Sequence, residues 1–141
     1  MVYKISPSNY RKKYLANEIV SFFESEDVLH INCVKWFRFQ YGDTGAILHH
    51  SPNENPYGDK IKMIQYNKKM EAMGRLKGEP DIRISFCAKT LLIEFKSKKG
   101  IVTQHQKDVI NAYRKQGFEA HICRTLEEFQ IYVNDFMQKC K

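Results

Sequence analysis

The sequence lacks long apolar runs and any recognisable export signal. Its longest apolar runs, such as that at 90–93, fall far short of the ~18 residues that a membrane-spanning helix requires. The N-terminal residues show neither a hydrophobic signal-peptide core nor a small-residue cleavage site. We therefore expect a protein without a membrane span that stays in the cytoplasm, either of a bacterium or of a phage-infected cell.

Cysteine motifs and linker-type sequence are also absent. The four cysteines are widely spaced and form no CxxC pair, which favours reduced thiols over a disulfide framework or a zinc ribbon. The 141 residues contain no repeat and no Pro/Ser-rich stretch. One domain is therefore predicted to cover residues 1–141.

The chain does have an excess of positive charge. It contains 23 Lys and Arg against 16 Asp and Glu, a formal net charge of +7. Such an excess favours a polyanionic partner, because basic side chains that neutralise phosphates release counterions. The alternative is a positively charged surface that only keeps the protein in solution. Hydrophobic residues make up 43% of the chain, enough to form a packed core.

Helical and strand patterns alternate along the chain. A first helix is predicted at 9–23, and a second at 25–41, where Ser25 is a suitable N-cap. Period-two alternation at 31–41 would also suit a strand. The remaining predicted elements are a strand at 46–50, a helix at 59–75, strands at 81–86 and 90–96, a helix at 103–116, a strand at 118–123 and a helix at 126–139. This order predicts an α/β fold with a small mixed sheet flanked by helices. The methionines of the 59–75 helix are expected to fill the core.

The two paired strands bring carboxylates and an ammonium group together. Asp81 opens the first strand, and Glu94 and Lys96 lie near the end of the second. Residues i and i+2 of a strand project to the same face, so Glu94 and Lys96 lie side by side and Phe95 points away. Mg²⁺ binds to one or two carboxylates plus waters and phosphate oxygens. By residue type alone, a surface ion pair with Asp81 capping a turn is the more common arrangement.

Further features surround these three residues. A G-x-P-D turn stands at 78–81, Gly100 follows the Glu-x-Lys strand, and Thr103 precedes Gln106. Upstream stand Ser25-Glu26 and the segment HHSPNEN at 49–55. With these features the chain resembles the VRR-NUC branch of the PD-(D/E)XK nucleases over about residues 25–124. The resemblance implies the restriction-endonuclease-like fold of that superfamily, with residues 1–24 and 125–141 as additional helices.

The resemblance also implies a metal centre with Mg²⁺ or Mn²⁺ as cofactor. Asp81 and Glu94 would bind the metal, with the backbone carbonyl of Phe95 as a further ligand. Glu26 would complete the acidic cluster from its helix, and Glu54 is an additional candidate ligand. Members of the family often carry Gln where His30 stands.

Two residues would serve the reaction itself. The resemblance implies that Lys96 positions or polarises the attacking water and that Gln106 orients Lys96 or that water. His49 and His50 are neighbours in a predicted strand, so at most one of them can face the site. A hydrogen-bonded strand residue is the favoured interpretation of either histidine, and a general-base or metal-binding role is the alternative.

Basic residues flank the predicted site on both sides. Arg75 and Lys77 precede the Pro-Asp turn, and Lys98 and Lys99 follow the Glu-x-Lys strand. They would hold phosphates of a nucleic acid, or they are ordinary solvated charges; the pattern favours neither. Phosphate contacts give position and affinity without base specificity.

The resemblance thus implies an endodeoxyribonuclease that depends on a divalent metal. Compact members of the family are similar to Holliday-junction resolvases and can act as dimers, so a homodimer that cuts branched DNA is the leading hypothesis. The alternatives are a restriction-like or flap nuclease, and a non-catalytic DNA-binding module of the same fold. Aromatic residues of the first and last helices are candidate dimer contacts or core residues: Phe22, Phe23, Phe129 and Phe136.

Overall fold

A computed structural model describes residues 25–52 and 56–140. Its elements, in chain order, are α1 (Glu26–Tyr41), β1 (Ile47–His50), α2 (Lys60–Ala72), β2 (Ile82–Phe86), β3 (Lys89–Phe95), α3 (Gln104–Lys115), β4 (Glu119–Cys123) and α4 (Leu126–Gln138). Every predicted boundary within this part agrees to within three residues, and the helical interpretation of 25–41 is confirmed. The helix predicted at 9–23 lies outside the described residues, as do Phe22, Phe23 and Glu54.

The strands form one mixed sheet in the order β1-β2-β3-β4. The β1–β2 and β2–β3 pairs are antiparallel, and β3 and β4 are parallel. Ile82 pairs with Ile93, so the register continued by one residue sets Asp81 opposite Glu94. The α/β class with a small mixed sheet is therefore confirmed.

Helices cover both faces of this sheet. On one face, α1 and α4 contribute Phe37 and Phe129 to a core that includes Ile93 and Phe95 of β3. On the other face, Ile110 of α3 packs with Leu92 and Ala120. Because side chains alternate along a strand, Glu94 lies on the same face of β3 as Leu92, towards α3. Phe129 and Phe136 are buried in the core, so they pack within the chain.

Helix α2 departs from the prediction. The methionines of this segment were expected in the core, but Met70 is only half-buried and Met73 is 70% exposed. The helix contains no buried residue, and Ile61 is 69% exposed. The prediction was wrong because a helical apolar pattern shows which positions share a face but not whether a sheet lies against that face.

Among the described residues, no helix combines the length and the apolar character needed to cross a membrane.

Candidate active site

Asp81 is fixed between two strands at the start of β2. Its Oδ2 accepts a hydrogen bond from the backbone N–H of Phe95 at 2.7 Å. Its backbone carbonyl accepts hydrogen bonds from the Ser51 N–H at 2.9 Å and from Nδ1 of His50 at 2.8 Å. Burial raises the pKa of the Asp81 carboxyl, and the N–H of Phe95 offsets part of that rise.

Glu94 is the buried carboxylate of the site. Its residue exposure is only 2%, and its Oε1 accepts hydrogen bonds from the Lys96 ammonium at 3.1 Å and from the side-chain amide of Gln106. Burial, followed by the charge of Asp81, raises the pKa of Glu94 to about 7. Two neighbouring carboxylates in a desolvated place repel each other, and a cation between them would relieve that repulsion.

Lys96 links the sheet to α1. Its backbone N–H donates to the carbonyl of Cys123 at 3.0 Å, which extends the β3–β4 pairing by one residue. Its Nζ lies 3.1 Å from Glu94 and 3.8 Å from Oε1 of Glu26. Glu26 stands in the first turn of α1 with its side chain 44% exposed. The structure therefore brings these three predicted site residues into one cluster.

Gln106 is held in place by the start of α3. Thr103 is the N-cap, and its Oγ1 accepts from the Gln106 N–H at 3.3 Å. The Gln106 Oε1 accepts from the Thr103 N–H at 3.0 Å, which completes a capping box. With the amide oxygen so occupied, the amide nitrogen donates to Glu94. The direct contact of Gln106 is thus with Glu94, and it reaches Lys96 through that carboxylate.

Gly78 allows α3 to approach the Pro-Asp turn. Its φ is +85°, and a Cβ at this position would lie 2.7 Å from the backbone carbon and oxygen of His105. A side chain here would therefore push away the N-terminus of α3, which carries Gln106.

We expect Gly78→Ala to destabilise the fold by about 2–4 kcal/mol, because a positive φ and a backbone collision both oppose the methyl group. Gly74→Ala is the matched control, since Gly74 has a φ of +98° but a methyl group there would meet no atom within 4 Å. Urea denaturation of both variants measures the difference. Equal losses of unfolding free energy would show that the contact with α3 is not tight.

A pair of histidines lies beside Asp81. The ring of His30 on α1 stacks on Phe95 with centroids 4.6 Å apart and meets the His50 ring edge-on at 4.7 Å. Burial, followed by the charge of His50, lowers the pKa of His30. Of the two neighbours His49 and His50, His50 contacts the site, because its Nδ1 donates to the Asp81 carbonyl. His30 is not among the predicted site residues, although its position four residues after Glu26 places both on one face of α1.

The predicted basic residues lie on two sides of this cluster. Arg75 and Lys77 line a groove of about 340 Å³ that also includes Gln106. Lys98 and Lys99 are exposed in the loop after β3. Arg124 holds that loop, because its guanidinium donates to the carbonyls of the loop residues Ser97 at 2.6 Å, Lys98 at 3.3 Å and Gly100 at 2.9 Å. Arg124 has no motif in the sequence, and only the tertiary contact reveals its position.

The oxygen ligands of this site suit a hard divalent cation that takes only part of its coordination shell from the protein. Within residues 25–52 and 56–140, no three His, Cys, Asp or Glu side chains form a metal-binding group. Asp81 and Glu94 supply two carboxylates, and no hydrogen bond within this part of the chain occupies Oδ1 of Asp81. Mg²⁺ needs only one or two carboxylates when waters and substrate phosphates complete its shell. The carbonyl of Phe95 and the side chain of Glu54 stay predictions.

A comparison with solved structures found the same architecture. A structure described as a VRR_NUC domain protein superimposes with a TM-score of 0.57 and 23% sequence identity, covering 82% of this chain and 87% of that chain. The chain has the fold of that protein. The predicted fold is confirmed by this likeness. No protein-family model matches the sequence, and no curated protein matches it either.

Proposed function

We propose that the chain is a divalent-metal-dependent endodeoxyribonuclease of the VRR-NUC type. The observation that carries the proposal is the convergence of Asp81, Glu94 and Lys96 at one end of the sheet, with Gln106 bonded to Glu94. Two carboxylates that repel each other beside a buried ammonium lower the stability of a fold unless a bound ligand offsets the repulsion. The shared fold with a VRR_NUC domain protein supports the same assignment.

Each side chain has a distinct role in this proposal. Asp81 and Glu94, with the carbonyl of Phe95, would hold Mg²⁺ or Mn²⁺, and Glu54 is an additional candidate ligand. The bound ion supplies Lewis acidity to the phosphate and to the attacking water. Lys96 donates hydrogen bonds to that water or to the phosphate, where negative charge develops.

Two further residues keep Lys96 and Glu94 in position. Gln106 fixes the Oε1 of Glu94 that Lys96 also contacts, so the carboxylate and the ammonium are held together. Glu26 approaches Lys96 from α1 at 3.8 Å and adds negative charge beside the ammonium. Lys96 thus lies between two carboxylates, and its ammonium group can stabilise negative charge that develops on the phosphate.

The proposed substrate is branched DNA, cut by a homodimer. Arg75, Lys77, Lys98 and Lys99 would contact phosphates around the site, and such contacts carry no base specificity. Structure-selective cutting needs no reader of base edges. A two-fold dimer presents two identical sites, which suits one nick in each of two strands at a four-way junction.

A cleavage assay tests this function. Labelled four-way junction, flap, nicked and linear DNAs are incubated with the protein in Mg²⁺, in Mn²⁺ and in chelator, beside an Asp81→Ala control. We expect paired nicks in the junction that need metal and vanish in the variant. Equal cutting of all DNAs would replace junction specificity by general nuclease activity, and binding without cutting would identify a non-catalytic DNA-binding module.

A further inference from the structure

The segment 56–77, here named the α2 arm, contributes nothing to the core. None of its residues is buried. It is held together locally: Tyr66 meets Tyr57 with ring centroids 5.5 Å apart, and the Arg75 guanidinium lies 5.8 Å from the Tyr66 ring and donates to Asn67 at 2.8 Å. A helix of this length is marginal on its own in water. Packing of the core therefore does not explain why the chain contains it.

The α2 arm ends close to the candidate metal ligand Asp81, from which only Gly78, Glu79 and Pro80 separate it in the chain. It follows Ser51, whose N–H donates to the Asp81 carbonyl, and it returns to β2 through Glu79 and Pro80. Its C-terminal part, Arg75 and Lys77, lines the groove that reaches Gln106. The C-terminal part of the arm therefore lies at the edge of the candidate active site.

The charge of the α2 arm is strongly positive. It has six basic and two acidic side chains, a net charge of +4 within a chain of +7. The basic residues are Lys60, Lys62, Lys68, Lys69, Arg75 and Lys77. None of the ion pairs in the described part of the chain involves any of them. No ion pair within the described residues therefore neutralises the charge of these side chains, which can act on an anionic partner.

We propose that the α2 arm binds the phosphate backbone of DNA beside the scissile phosphate, with the lysines of α2 as its main contacts. Its location relative to the cut rests on the proposed function. Charge complementarity favours a nucleic acid, since four lysines on a helix of 13 residues match a partner with closely spaced phosphates. The exposed Ile61 and Ile64 lie between these lysines, where they can contact sugars.

The test compares two variants of equal net charge. One carries Lys62→Gln, Lys68→Gln and Lys69→Gln on α2. The matched control carries Lys89→Gln, Lys115→Gln and Lys139→Gln, at the opposite end, where β3 begins and α3 and α4 end. Affinity for labelled four-way junction and linear duplex is measured in chelator over a range of salt concentrations. Circular dichroism verifies that both variants are folded.

We expect the arm variant to bind both DNAs about 10- to 100-fold more weakly than wild type at about 0.1 M salt. The slope of log affinity against log salt should fall by about 2–3, because each phosphate contact contributes about 1. The control should stay within about twofold of wild type, apart from a small general effect of net charge.

Equal DNA affinities and equal salt slopes for the two variants would overturn the proposal. Binding of anionic phosphatidylserine vesicles, with no binding of DNA, would also overturn it and would assign the arm to a membrane surface. The nuclease proposal is tested separately. If wild type cuts no DNA but binds it through the arm, only the nuclease proposal fails; if wild type cuts DNA and the arm variant binds and cuts like the control, only the arm proposal fails.

Discussion

Lys96→Met is expected to reduce the rate of DNA cleavage at saturating protein by about 10³-fold. Lys96 places an ammonium 3.1 Å from the buried Glu94, and methionine keeps most of the length of the side chain while removing the charge and the proton donors. A positioned proton donor or charge of this kind contributes about 10²–10⁴-fold to a rate. Single-turnover cleavage of labelled DNA measures the effect.

Two controls separate catalysis from folding. Lys89→Met makes the same change at the other end of β3. It should leave the cleavage rate within about twofold of wild type, because Lys89 lies far from the proposed metal ligands and phosphate contacts. Lys96→Met combined with Glu94→Gln removes both charges of the buried pair, so neither is left without its partner. This double variant should be folded and inactive. A Lys96→Met rate within tenfold of wild type would contradict the role of Lys96.

Glu94→Gln is expected to gain about 1–3 kcal/mol of stability relative to wild type as the pH of the metal-free protein rises from 4.5 to 8. The pKa of Glu94 is about 7 in the folded state against an ordinary value of 4.5, because the charged form is buried beside Asp81. The folded state therefore holds the proton more tightly than the unfolded state does. The contribution of Glu94 to stability is greatest below pH 4.5 and falls as the pH rises to about 7. Glutamine is neutral at every pH and lacks this loss.

The measurement is urea denaturation in chelator at several pH values between 4.5 and 8. The difference in unfolding free energy between Glu94→Gln and wild type should grow with pH across this range and level off above pH 7. Glu127→Gln, an exposed position in the first turn of α4, should show no such trend. A constant difference for Glu94→Gln would mean that its carboxyl titrates normally. Stabilisation accompanied by loss of cleavage would fit a site that trades stability for activity.

Local sequence signals accounted for most of the fold. Ser25 and Thr103 stand at the starts of α1 and α3 and accept hydrogen bonds from the backbone of the first turn, as their residue types favour. The alternation at 31–41 suited a strand as well, and the cap at Ser25 was the better guide. Burial of α2 was not predictable in the same way, because it depends on which surface lies opposite Met70 and Met73.

The candidate site likewise contains residues that the sequence predicts and residues that only the folded structure reveals. Asp81, Glu94, Lys96 and Gln106 could be selected because their types and spacing form a motif. His30, which stacks on Phe95, meets the site only through tertiary packing, as does Arg124, which holds the loop after β3. Neither contact leaves a pattern in the sequence, because the partners are distant along the chain.

The central claim is that Asp81 and Glu94 together hold a divalent metal for DNA cleavage, and a titration of Mn²⁺ into the metal-free protein tests it most directly. Calorimetry with wild type, Asp81→Asn and Glu94→Gln at pH 8 gives the affinity of each protein, and cleavage is assayed on the same samples. We predict saturable binding by wild type that is at least tenfold weaker in both variants, with cleavage lost in parallel. Equal Mn²⁺ binding by all three proteins, or cleavage that persists in chelator, would contradict the account.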